Sequence, residues 1–213
     1  MTDPINLIAV LVSVALLPFL AIAASSFIKI SIVLMLIRNA LGTQQTPPNM
    51  AVNAVALILS VFIMAPVIRE TYFLVKDLPM SGPNASGLDQ IFSVGHGPIL
   101  RFLQKHAGEK ELQYFYEAAT MLWPEPMKAS IGRDNLLIVL PAYTLTELRQ
   151  AFEIGFLIYL PFIAIDLIVS NILLAMGMMM VSPLTISLPF KLLLFVMVDG
   201  WSRLILSLVK TYV

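Results

Sequence analysis

The sequence contains no cysteine, which excludes disulfides and thiolate metal sites and leaves the redox compartment open. Charge is scarce. Asp, Glu, Lys and Arg make up 12% of the 213 residues and cancel to a formal net charge of zero, so a polybasic stripe for nucleic acid is excluded. Histidine is nearly missing: His96 and His106 stand alone, without HExxH or paired-histidine spacing, and read as solvated surface residues. Walker-type, GxGxxG and GxSxG loops are absent, and Gly95-His-Gly97 is too short to cradle a phosphate. With no catalytic constellation and no metal-ligand cluster, neither an enzyme nor a cofactor is implied. The opening Met1-Thr-Asp-Pro lacks the positive region of a signal peptide, and no small-residue cleavage site follows. The first apolar segment is expected to be retained.

What is present is apolar. Hydrophobic residues are 59% of the chain and the mean hydropathy is +0.89, whereas soluble domains are about half apolar and roughly a quarter charged. An all-α integral membrane protein is the reading this supports. The charges are also uneven. Residues 1–68 carry only Asp3, Lys29 and Arg38, and residues 154–213 carry only Asp166, Lys191, Asp199, Arg203 and Lys210. The chain therefore divides into an N-terminal hydrophobic helix pair (1–75), a polar helical region (76–150) and a C-terminal hydrophobic pair (151–213).

The first apolar segment runs from about Ile5 to Ile37, with Pro18 predicting a kink or break and Lys29 requiring a polar partner or an interface. The second runs from about Met50 to Ile68. Between them Gly42 can stop a helix and Pro47-Pro48 forces an extended turn. In the polar region Gly97-Pro98 suits a helix start. Leu112, Phe115, Tyr116, Ala119 and Leu122 repeat at three or four, and Trp123-Pro124-Glu-Pro126 ends that helix. Thr144-Leu-Thr-Glu147 has the capping-box pattern of another start. These patterns predict a small helical domain rather than a second core. The third apolar segment spans about Ala151 to Met176 and the fourth about Pro183 to Val209, giving four segments as two hairpins.

The chemistry-bearing residues cluster in the last pair. Asp166 lies inside an apolar helix, where a carboxylate is costly. Lys191 lies a comparable distance beyond the intervening turn, so the two can pair within the hairpin or between neighbouring subunits. Asp199 and Arg203 fit an i,i+4 pair on one helix. Met178, Met179 and Met180 follow Gly177, and three consecutive methionines cannot share one helical face. Composition leaves core filling, lipid contact and pore lining all open for them.

Three stretches carry a resemblance. They are Phe156-Leu-Ile-Tyr-Leu-Pro-Phe-Ile-Ala-Ile-Asp-Leu-Ile-Val-Ser-Asn-Ile-Leu-Leu-Ala-Met-Gly-Met-Met-Met-Val-Ser-Pro183, Arg38-Asn-Ala-Leu-Gly-Thr-Gln-Gln-Thr-Pro-Pro-Asn49 and Leu188-Pro-Phe-Lys-Leu-Leu-Leu-Phe-Val-Met-Val-Asp-Gly-Trp201. Taken in their order along the chain they resemble the FliP/SctR family of export-gate membrane proteins of type III secretion. Asn39 and Ser182 resemble the injectisome branch, SctR, more than flagellar FliP. The resemblance implies a core subunit of a channel through which unfolded proteins cross the bacterial inner membrane. It implies a homo-oligomer, a pentamer, with SctS-like and SctT-like small membrane proteins and a larger export-gate protein. Much of that assembly would be raised toward the periplasmic side. By the same resemblance Met178, Met179 and Met180 form a methionine gasket, Asp166 and Lys191 lock neighbouring hairpins, and Phe156 faces the lumen. The alternative from another class is a small-solute channel or secondary transporter with Asp166 and Lys191 as ion sites. Inverted internal repeats would mark it, and none is evident.

Overall fold

The computed structural model describes residues 4–43, 46–76, 85–128 and 131–213. Every regular element among them is an α-helix: α1 (Pro4–Ala23), α2 (Phe27–Ala40), α3 (Asn49–Lys76), α4 (Ala85–His106), α5 (Glu109–Leu122), α6 (Glu125–Lys128), α7 (Leu136–Ala175), α8 (Pro183–Met197) and α9 (Gly200–Lys210). The all-helical class follows from the sequence. Among the described residues α3 and α7 are long and apolar enough to cross a membrane. The pair α8 and α9 passes the same test as one span, bent by 61° at its break.

Helix boundaries depart from expectation where proline or threonine was taken as punctuation. The N-terminal helix runs through Pro18 and ends five residues later, at Ala23. There Ser25 Oγ donates to the Ile22 carbonyl at 3.1 Å and accepts from the Phe27 amide at 3.4 Å. A serine that bonds its own backbone competes with the helical ladder. Likewise α4 does not begin at Gly97-Pro98 but passes through it, with Pro98 buried among its neighbours. Packing of that kind can hold a helix across one lost amide bond.

The third apolar segment begins earlier than expected. Asn135 starts α7, its Oδ1 accepting the Leu137 amide at 2.9 Å, as an N-cap residue does. The predicted capping box therefore lies inside a helix. The Thr144 hydroxyl donates to the Leu140 carbonyl at 2.9 Å and that of Thr146 to the Ala142 carbonyl at 2.8 Å. The fourth segment, expected to be continuous, is instead broken between α8 and α9. Asp199 there takes a left-handed conformation, φ 51°, which is rare outside glycine.

The chain packs as two compact units. One contains α1 together with Val61–Glu147. Its centre is Leu103, Val139 and Tyr143, all wholly buried, with Ile99, Leu100, Leu112 and Leu140 packed around them. The polar middle supplies most of this core, in a unit that also takes in α1 and the second half of α3. Its apolar positions on α4 and α7 recur at three and four, so each helix turns one face inward. Thr146 ties a third helix to that core, because its Oγ1 also accepts the amide of Gly108, the residue capping α5, at 2.8 Å.

The other unit contains Lys29–Ser60 and Leu148–Val213. Here α2 buries Ile30, Val33, Leu34 and Ile37 along one face. A side chain at Gly155 of α7 would run into Leu36, so glycine sets how closely α2 and α7 approach. Lys29 is buried. Its Nζ donates to Gln150 Oε1 at 2.9 Å and lies 3.9 Å from the centre of the Tyr212 ring. α2 ends as predicted, with Gly42 at φ 78°. The turn that follows is held by Arg38, whose guanidinium donates to the Pro47 carbonyl at 3.3 Å and to Asn49 Oδ1.

Candidate functional site

The hairpin formed by the C-terminal half of α7 and by α8 carries most of the singled-out residues. Its turn is built by backbone chemistry. At the end of α7 the Met178 amide donates to the Leu173 carbonyl at 2.9 Å, and the Gly177 amide to the Leu174 carbonyl at 3.0 Å. These are the two bonds of a Schellman cap, with Gly177 at φ 74° as the left-handed residue. A Cβ at Gly177 would meet nothing within 4 Å, so backbone conformation and not space requires glycine here. The Met179 amide then donates to the Gly177 carbonyl at 3.0 Å. Ser182 caps α8 and Pro183 opens it, the position at which a missing amide costs least.

The side chains of this turn are not packed. Met178 is 44% exposed, Met179 82%, and Met180 fully exposed at 101%. An ordered backbone thus presents unpartnered thioethers. Such side chains are unbranched and polarisable, and they adapt to irregular surfaces.

Below the turn the hairpin is tied. Lys191 Nζ of α8 lies 2.6 Å from Asp166 Oδ2 of α7, with side-chain exposures of 4% and 25%. Two further groups complete the cluster. The Ser187 hydroxyl lies 2.5 Å from Asp166 Oδ1, and the Ala40 carbonyl accepts from Lys191 Nζ at 3.3 Å. Both carboxylate oxygens and two of the ammonium donors are therefore engaged. A buried charge pair is held favourably only when hydrogen bonds of this kind satisfy the remaining valences.

The sequence did not reveal Ser187 and Ala40, although each left a trace. Ser187 stands four residues before Lys191, on the same helical face. Ala40 ends α2 just before Gly42, so its carbonyl has no intrahelical partner, and cations favour that end of a helix.

The remaining candidates lie apart from this cluster. Phe156, on α7, is 61% exposed. Asp199 and Arg203 are four apart, but no ion pair joins them. The Asp199 carboxylate instead accepts from the Ser202 hydroxyl at 2.9 Å. The left-handed backbone at Asp199 places it before α9 rather than within it. It therefore lacks the helical geometry that an i,i+4 pair needs. Among the described residues no group of three His, Asp or Glu side chains could hold a metal ion.

Comparison with known proteins agrees over nearly the whole chain. The FliP family model matches residues 10–208. The Yop proteins translocation protein R of Yersinia pestis is 52% identical over 210 residues, covering 99% of this chain and 97% of that protein. The virulence protein YscR of Salmonella typhimurium is 48% identical over 210 residues, with the same coverage of 99% and 97%. The hypersensitivity response secretion protein HrcR of Ralstonia nicotianae is 46% identical over 209 residues, covering 97% of this chain and 96% of its own.

Proposed function

The chain belongs to the FliP family, and from that premise we propose that it is a core subunit of a type III secretion export gate. It forms the channel through which unfolded substrate proteins cross the bacterial inner membrane. Relatives named for translocation and secretion support this reading. So does a chain with spans long and apolar enough for a bilayer. Its four apolar segments act as two hairpins embedded in the assembly, with the polar middle toward the periplasmic side. The subunit works as a ring of copies, a pentamer on the family pattern. SctS-like and SctT-like small membrane proteins and a larger export-gate protein complete the apparatus.

One observation carries the mechanism. Three exposed methionines sit on a backbone turn that is capped at one end and tied below by a buried ion pair. A gate that passes many unfolded chains must close around nothing in particular and yield to anything. Flexible thioether side chains can do this without a fixed geometry. The turn supplies position and the methionines supply compliance. Met178, Met179 and Met180 act as the gasket, Asp166 and Lys191 lock the hairpin that presents it, and Phe156 faces the lumen. No bond is made or broken in this work, so the subunit is not an enzyme.

Replacing Met178, Met179 and Met180 together by alanine is expected to let small solutes leak across the inner membrane while secretion continues. Solute uptake and secreted protein are measured in the same cells. A membrane that stays tight while secretion stops would remove the gasket role and leave the family membership untouched.

A further inference from the structure

We infer that the apolar groove bounded by α7, α8 and α9 seats one acyl chain of an anionic phospholipid, whose phosphate is taken by Arg203. The groove encloses about 600 Å³, within the roughly 300–1,000 Å³ of small-ligand sites. Ile158, Phe162, Leu194, Phe195, Leu204 and Leu208 are among its walls, and among the described residues Arg203 is the only charged one lining it. The arrangement on α9 is orderly. Leu204 and Leu208 are buried one turn apart, while Arg203, Ser207 and Thr211 repeat at four along the same groove and stay exposed. A floor of leucine therefore runs beside a rail of one cation and two hydroxyls.

Arg203 is unengaged. Among the described residues its guanidinium has no ion-pair or hydrogen-bond partner, and the nearest carboxylate along the chain, Asp199, bonds Ser202 instead. An arginine beside an apolar groove in a membrane protein calls for an anion that brings its own hydrocarbon. A phosphate matches the planar donor fork of arginine bidentately. A second copy of this chain would have to bring a carboxylate together with an apolar segment, whereas a phospholipid carries both in one molecule. The inference rests on the membrane reading above.

The test uses the assembled complex purified in mild detergent and native mass spectrometry. Phosphatidylglycerol and phosphatidylcholine with matched palmitoyl and oleoyl chains are titrated separately. The intact protein is expected to retain phosphatidylglycerol over phosphatidylcholine by about tenfold, as one charge-assisted contact allows. Arg203→Gln is expected to bring phosphatidylglycerol down to the phosphatidylcholine level. Equal retention of phosphatidylglycerol by the two proteins would overturn the proposal. A photoreactive benzoylphenylalanine at position 207 gives a second readout that does not depend on that variant assembling. A mass gain of one phospholipid supports the lipid seat, and a crosslink to a polypeptide overturns it. The mass of the complex reports the export-gate reading separately. A lone subunit that still binds phosphatidylglycerol through Arg203 would sink the gate and leave the groove.

Discussion

The base and the tip of the α7–α8 hairpin are made on opposite plans. At the base every polar atom has a counterpart: Asp166 meets Lys191 and Ser187, and Lys191 also meets the Ala40 carbonyl. At the tip the backbone is bonded through its cap, but the side chains of Met178, Met179 and Met180 are exposed. Directional bonds fix where the hairpin stands, and their absence lets its end conform. A part that must hold position and a part that must yield can therefore lie a few turns apart on the same two helices.

The sharpest way to break this contrast is at the base. Asp166→Ala strands the buried Lys191 ammonium and is expected to cost about 3–5 kcal/mol, while Lys191→Ala leaves the quarter-exposed Asp166 carboxylate and costs less. Thermal unfolding of the purified protein, followed by tryptophan fluorescence, checks it. Full stability in both variants would show that the pair does not hold the hairpin. Ser187→Ala leaves the ion pair intact but one carboxylate oxygen without its hydroxyl, at about 1–3 kcal/mol in the same assay. At the tip, Gly177→Ala forces a Cβ into a left-handed conformation, for about 1–2 kcal/mol. The smallest effect sharpens the comparison rather than breaking it. The double change Asp166→Leu with Lys191→Met removes both charges at once and is expected to be close to neutral for stability, within about 1 kcal/mol. If that protein is stable yet fails to secrete, the charges serve the gate beyond holding the helices. If it secretes normally, the tie is mechanical only.

Legibility in the sequence followed the range of the forces involved. The apolar segments, the stop at Gly42 and the apolar face of α5 were readable because each depends on neighbours within a few residues. The proximity of Asp166 and Lys191 was suggested by their similar distance from one turn, and the structure places them in contact. The rest of that cluster was not readable, since the Ala40 carbonyl lies 151 residues from Lys191 along the chain. Prolines were less legible. Gly97-Pro98 reads as a helix start, yet α4 passes through it, and α1 continues past Pro18 without a break. The threonines 144 and 146 read as a cap and instead bond carbonyls inside α7.

The sequence by itself determined that this protein is helical, rich in segments apolar enough for a membrane, without visible catalytic chemistry, and a relative of export-gate proteins. Composition and short-range periodicity suffice for that, because hydrophobic burial and helix geometry act through every few residues alike. Only the tertiary structure decided where helices continue through proline and where serine breaks them. It alone decided that α3 and α7 each supply residues to two units, and that Arg203 faces an apolar groove instead of Asp199. Those outcomes depend on which distant side chains and carbonyls arrive to satisfy a buried group, and no local pattern encodes that arrival.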